Sequence, residues 1–134
     1  MPDITGGHHV AFTVTDVERS KAWYTDLLGL VEVFGGDDDT VSFRVLAHPS
    51  SGFVIGLRQY HGNGSRDGFD EFRTGLDHFA LGVSSKAELE AWQAELERRG
   101  DVTFTPIAET PIGSVIVFRD PDGIQLEFWL NAGG

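Results

Sequence analysis

Residues 9–27 read HVAFTVTDVERSKAWYTDL and residues 78–96 read HFALGVSSKAELEAWQAEL. Aligned at an offset of 78 − 9 = 69, the two stretches are identical at six of nineteen positions: His9/His78, Ala11/Ala80, Val14/Val83, Ala22/Ala91, Trp23/Trp92 and Leu27/Leu96. Background residue frequencies of roughly 6% would give about one identity. The chain is therefore an internal repeat, and the repeated unit is what has to fold. Each copy opens with an alternating run, residues 9–15 and 78–84, which reads as a half-buried strand. A helix follows in both. In the first, Thr15 and Glu18 are spaced as a capping box, Trp23, Leu27 and Leu30 recur at helical spacing, and Gly29 lies near the end. In the second, Ser85 and Glu88 form the box, Leu89, Trp92 and Leu96 make the stripe, and Gly100 stops it. The matched tryptophans are expected in the core.

Working outward, each copy continues with three shorter β segments. The spacing predicts them at about 31–35, 40–47 and 53–60 in the first copy, and at 102–105, 114–119 and 124–130 in the second. Asp120-Pro121-Asp122-Gly123 ties the last two into a hairpin, because Pro fixes φ and Gly accepts positive φ. The predicted order is βαβββ, twice: a first module over residues 6–60, a Gly-rich polar linker over 61–74, and a second module over 75–131 of a single domain. Asp37, Asp38 and Asp39 fall at a hairpin tip. They read as a solvated turn, since the ligand spacing of an EF-hand loop is absent.

Composition narrows the chemistry further. Ten Lys and Arg against 21 Asp and Glu leave a formal charge of −11, a field that repels phosphate and makes nucleic acid and anionic membrane poor partners. With no cysteine there is no disulfide, no zinc finger and no thiol nucleophile, so any metal must be held by His and carboxylate. No apolar run approaches the roughly 18 residues of a membrane span, and MPDITGGHHV lacks a basic-then-apolar export pattern. The cytoplasm is the expected location.

Strand alternation then places candidate groups. His9, Ala11 and Thr13 share one face, as do His78, Ala80 and Gly82, and as do Gln125, Glu127 and Trp129. If the repeat has pseudo-twofold symmetry, His9 and His78 are symmetry mates and Glu127 comes from a terminal strand beside them. Two imidazoles and a carboxylate suit a borderline divalent ion and leave positions open for substrate. Taken singly, each could be an ordinary rim residue; a carboxylate within the apolar run 124–130 nonetheless needs a partner if buried. The first copy ends PSSGFVIGL where the second ends PDGIQLEF, which sets Gly56 opposite Glu127.

The motifs HHVAFTVTDVERSKAWYTDLLGL, GLDHFALGV and VIVFRDPDGIQLEFW, in that order, resemble the vicinal oxygen chelate superfamily of glyoxalase I, bleomycin-resistance proteins, fosfomycin-modifying enzymes and extradiol dioxygenases. The resemblance covers residues 8–130 or so. It implies an α+β fold in which two paired βαβββ modules form an incomplete mixed β-barrel with the helices outside, a divalent metal (Fe, Mn, Zn or Ni), and a homodimer. By motif position His9, His78 and Glu127 match the metal ligands, and Glu127 is the catalytic candidate. His8, one residue off, is expected to point to the opposite face.

Three departures qualify it. Where the bacterial glyoxalase I pattern carries a second Glu, this chain has Gly56, which argues against that isomerisation. Where ring-cleaving relatives have Tyr it has Val117, and where fosfomycin enzymes have Thr it has Ala11. Among surrounding groups, Arg58 shares the parity of Gly56 and could orient an anionic substrate or pair with a surface acid. Thr13 and Trp129 are further substrate-binding candidates, Trp129 as a pocket wall. Tyr60 and His61 read as loop residues or acid–base groups. The expected activity is a small metal-dependent enzyme that binds an oxygen-rich small molecule through two neighbouring oxygens, by lyase, isomerase or oxygenase chemistry. The alternative is an acidic protein that sequesters a cationic drug without catalysis.

Overall fold

The computed structural model describes residues 1–133. The chain divides into two compact units, one from Met1 to Asp67 and the other beginning at Gly68. The order in the first is β1 (Val10–Thr13), α1 (Val17–Leu28), β2 (Val31–Asp37), β3 (Val41–Ala47) and β4 (Val54–Tyr60). The second has β5 (Phe79–Gly82), α2 (Lys86–Arg99), β6 (Ala108–Thr110), β7 (Gly113–Arg119) and β8 (Gln125–Asn131). The sheets repeat one topology, β1-β4-β3-β2 and β5-β8-β7-β6, each with one parallel pair and two antiparallel ones. This is the α+β fold of duplicated βαβββ units that the repeat predicts.

Local chemistry explains most of the boundaries. Helix α2 starts at the N-cap Ser85, whose side chain accepts from the Glu88 N–H, and stops at Gly100, whose φ of 72° suits the left-handed C-cap. Helix α1 ends the same way at Gly29 (φ 69°), but its N-cap is Asp16, accepting from the Arg19 N–H, rather than Thr15. The expected Thr15/Glu18 box is thus one residue early. Asp is at least as good a cap as Thr, and Asp16 is the residue at which the backbone turns from extended to helical. On the helix that follows, Tyr24 is fully buried while Trp23, expected in the core, is only half-buried. Trp92 is half-buried too, but stacks on Phe128 with ring centroids 4.3 Å apart.

In β8 the alternation is strict. Leu126, Phe128 and Leu130 are buried on the face that packs against α2, and Glu127 and Trp129 turn to the other face. In β4, Ile55 and Leu57 are buried while Gly56 and Arg58 take the opposite parity. The β7–β8 hairpin closes as its sequence demands: Asp120 Oδ1 accepts from the N–H groups of Asp122 and Ile124, and Gly123 has φ 79°. At the other acidic turn, Asp38 Oδ1 accepts from the N–H groups of Thr40 and Val41, which makes it a turn residue as expected.

One strand lies away from where the sequence pattern puts it. Residues 102–105 do not form the edge strand; Phe104 makes a single bridge to Phe118, and β6 lies at Ala108–Thr110. Both segments run beside β7, but Pro106 between them has no N–H to donate and the Ile107 N–H goes to Gln93 Oε1 on α2, 2.8 Å away. The ladder breaks there and resumes after it.

Candidate metal centre

The two parallel strand pairs carry the site residues. In the second unit Ala80 on β5 lies opposite Glu127 on β8; in the first, Ala11 on β1 lies opposite Gly56 on β4. Ala11 and Ala80 are repeat mates, so Gly56 and Glu127 stand at equivalent points of the two sheets, as the aligned strand ends imply. At Gly56 a Cβ would come within 3.2 Å of the Ala11 Cβ, and the position offers no ligand side chain.

His78 and Glu127 meet. His78 Nε2 lies 3.4 Å from Glu127 Oε1, with the Glu127 side chain 15% exposed and that of His78 43% exposed. The other ring nitrogen, Nδ1, is 2.6 Å from Asp77 Oδ1. Asp77 is held in turn by Gln125 Nε2, which donates to its Oδ1 at 3.2 Å and to its carbonyl at 3.1 Å. Gln125 Oε1 accepts from Arg119 Nη2 at 3.0 Å, and Arg119 forms a two-pronged pair with Glu71 at 2.9 and 3.1 Å. Strand alternation sets His78 and Glu127 on neighbouring strands, but the sequence pattern gives no hint of Asp77, Gln125, Arg119 and Glu71 behind them. These residues are separated by up to about fifty positions, and nothing in local periodicity links them.

The Arg119 guanidinium holds the Glu71 carboxyl down to about 2, from an ordinary value of 4.5. Because the folded-state value is depressed, the stabilisation from this pair is fully present above about pH 4.5 and is lost as the pH falls toward 2. Glu71→Gln is accordingly expected to lower the thermal midpoint at pH 7 and to converge on wild type near pH 2. Circular dichroism melts across that range check it; a constant gap between the two curves would show that the pair does not titrate as described.

In the first unit, His9 immediately precedes β1 and lines a cavity of about 280 Å³ with His8, Ala11, Phe43, Gly56 and Arg58. His8 does not turn away. Its Nδ1 lies 2.8 Å from His9 Nδ1, because both residues precede the strand and its alternation does not govern them. Arg58 donates from Nε to Tyr60 Oη at 3.0 Å, and its guanidinium lies 5.5 Å from the ring centres of both Phe43 and Tyr60. Among the described residues it makes no ion pair within 4.0 Å, and its charge acts at longer range on Asp38. Thr13 stands opposite Arg58 in the β1–β4 register and outside the cavity lining. His61 Nε2 is 2.9 Å from Ser42 Oγ. Trp129 lies opposite Val115, on the Glu127 face of its sheet, and donates from Nε1 to Asn131 Oδ1 at 2.7 Å.

The donor set fits a divalent ion on chemical grounds. An imidazole nitrogen and a half-buried carboxylate oxygen 3.4 Å apart are close to the separation of two donors on one metal. Among the described residues no three His, Asp or Glu side chains are gathered into a cluster.

Residues 6–128 match the Glyoxalase/Bleomycin resistance protein/Dioxygenase superfamily. The chain belongs to this superfamily. A lactoylglutathione lyase of Arabidopsis thaliana is 31% identical over 124 residues, covering 89% of this chain and 42% of the relative. A protein of Brassica oleracea var. gemmifera named for the same activity matches to the same extent, so the chain spans less than half the length of these curated relatives. Among solved structures, a glyoxylase/bleomycin resistance protein/dioxygenase domain from Frankia sp. EAN1pec is 40% identical with a TM-score of 0.87, covering 96% of this chain and 99% of that one. The fosfomycin resistance protein FosX from Listeria monocytogenes shares the fold at 17% identity and a TM-score of 0.75, covering 97% and 96% of the two chains. A single-residue mutant of that FosX was crystallised with Mn(II) and 1S,2S-dihydroxypropylphosphonic acid. The superfamily membership bears out the α+β architecture and the vicinal oxygen chelate resemblance.

Proposed function

We propose that this superfamily member is a metal-dependent enzyme of the glyoxalase/dioxygenase type, in which His9, His78 and Glu127 hold a divalent ion. The observation that carries the reading is the approach of His78 Nε2 to Glu127 Oε1 at the point where β5 and β8 pair. A divalent ion at these donors would supply Lewis acidity to two neighbouring oxygens of a small substrate. Fe, Mn, Zn and Ni all suit imidazole and carboxylate, and the Mn(II) of the FosX structure is a precedent within the fold.

The chain's own residues do the rest. Glu127 Oε2 makes no hydrogen bond among the described residues, which suits it to exchange a proton with the substrate. Arg58, cationic and held between two aromatic rings in a largely apolar cavity, suits an anionic substrate group; Thr13 beside it and Trp129 on the second sheet are further contact candidates. With glycine at position 56, Glu127 is the one carboxylate of the proposed ligand set.

Among the described residues no helix is long and apolar enough to cross a membrane, and a cytoplasmic homodimer binding a small molecule, with neither nucleic acid nor membrane as partner, completes the proposal. Metal analysis after purification without chelator tests it. About one equivalent of divalent ion per chain is expected, and a protein that neither contains nor takes up such an ion would sink the enzyme reading. The charge of −11 favours, secondarily, sequestration of a cationic drug. Tight calorimetric binding of such a drug to metal-free protein, unaffected by His9→Ala, would decide for that reading.

A further inference from the structure

The repeat carries a second correspondence. His8 and Asp77 each precede the histidine that opens a module, and 77 − 8 = 69, the repeat offset. Their side chains make the same contact. Asp77 Oδ1 lies 2.6 Å from His78 Nδ1, and His8 Nδ1 lies 2.8 Å from His9 Nδ1. In both histidines Nδ1 is the nitrogen engaged. His78 Nε2 faces Glu127, and His9 Nε2 has no hydrogen-bond partner among the described residues.

We propose that Asp77 and His8 are repeat-related positioning residues that hold the neutral rings of His78 and His9 as Nδ1–H tautomers, so that each presents an Nε2 lone pair to a divalent ion. The proposal rests on the metal-dependent reading above. A neutral imidazole has one N–H and one lone pair, so an acceptor at Nδ1 puts the proton there and the lone pair at Nε2. Asp77 is an acceptor only, and its orientation is fixed from behind. Arg119 has no acceptor, so Gln125 must turn Oε1 toward the guanidinium, which leaves its Nε2 to donate to Asp77. Glu71 anchors Arg119 from the far side.

The two modules solve the same problem with unequal strength. Asp77 carries a charge and is supported in turn by Gln125, Arg119 and Glu71. His8 is a neutral ring that accepts at Nδ1 only while its own proton is on Nε2. The hold on His78 is therefore the stronger, and charge-assisted. Partners of this kind are worth about 10–100-fold in metal affinity. Asp77→Ala is expected within that range, and His8→Ala at its lower edge. His8→Asp, which copies the second module into the first, should tighten binding.

Tautomers are read directly from long-range 1H–15N NMR spectra of the metal-free protein with its rings neutral. Nδ1–H is expected for His9 and His78, and Nε2–H for His8. Asp77→Ala should turn His78 into a mixture of tautomers, and Asp77→Asn, whose amide oxygen still accepts, should restore Nδ1–H. Zinc titrations followed by calorimetry should rank wild type above Asp77→Asn and Asp77→Asn above Asp77→Ala. A wild-type His78 or His9 carrying its proton on Nε2 would overturn the proposal, as would an Asp77→Ala protein with unchanged tautomer and zinc affinity. Expected tautomers in a wild-type protein that binds no zinc, manganese, iron or nickel would support the positioning pairs and overturn the metal-dependent function instead.

Discussion

Glu127→Ala is expected to abolish divalent-metal uptake, with affinity reduced at least about 100-fold, beyond the ~10–100-fold that outer partners of a ligand are worth. The carboxylate is half-buried, and its Oε1 is the oxygen donor that stands beside His78 Nε2. Removing it leaves His78 Nε2 without a carboxylate oxygen beside it to complete the donor pair for a doubly charged ion. Because β8 keeps its buried face of Leu126, Phe128 and Leu130 in this variant, the protein should still fold. His78→Ala should act in the same way. Arg58→Ala is the informative contrast: it removes a cation from the first unit's cavity but no donor, so metal uptake should persist while binding of anionic ligands weakens. Equilibrium dialysis against Mn(II) or Zn(II), with circular dichroism to confirm folding, checks all three. Metal binding by folded Glu127→Ala at wild-type affinity would remove Glu127 from the ligand set.

Phe128→Ala is expected to destabilise the protein by about 3–5 kcal/mol, the usual cost of deleting a buried aromatic ring. Phe128 is 2% exposed, one place along β8 from Glu127 and on the opposite face. Its ring is sandwiched between Trp92 of α2, at 4.3 Å, and Phe118 of β7, at 4.5 Å, both nearly parallel to it. The stack joins helix to sheet across two strands. Its loss leaves a cavity that neither neighbour can close without moving the backbone it stands on. Against the roughly 5–15 kcal/mol typical of a small domain this is a large fraction of the total. Urea unfolding should show the lower midpoint at unchanged slope; a loss below about 1 kcal/mol would mean that Trp92 and Phe118 collapse onto each other.

These two residues also mark how far the sequence can be read. The opposite parities of Glu127 and Phe128 follow from alternation, and β8 keeps that alternation without a bulge. The edge strands are another matter. In β2 the register slips between Glu32 and Phe34, and the edge beside β7 breaks at Pro106, moving β6 to Ala108–Thr110. An edge strand has one partner, and a single residue that cannot pair relocates it. The Thr15 cap is displaced for a similar reason: Thr15 and Asp16 are both competent caps, and the choice depends on where β1 releases the chain. His8 escapes prediction because alternation holds only within the strand that enforces it, and His8 lies before β1.

The sequence by itself determined the duplicated βαβββ order, the caps at Ser85, Gly29 and Gly100, the Asp120–Gly123 turn and the equivalence of Gly56 with Glu127. Those features depend on interactions within a few residues, or on a repeat that can be aligned letter by letter. Only the tertiary structure decided that Glu127 Oε1 meets His78 at Nε2, that Asp77 takes the other ring nitrogen, that Gln125, Arg119 and Glu71 stand behind Asp77, and that Arg58 lies against the rings of Phe43 and Tyr60. Side-chain hydrogen bonds need two atoms within about 3 Å along defined directions. Residues distant in the chain reach that geometry only after strand register and side-chain packing are settled together.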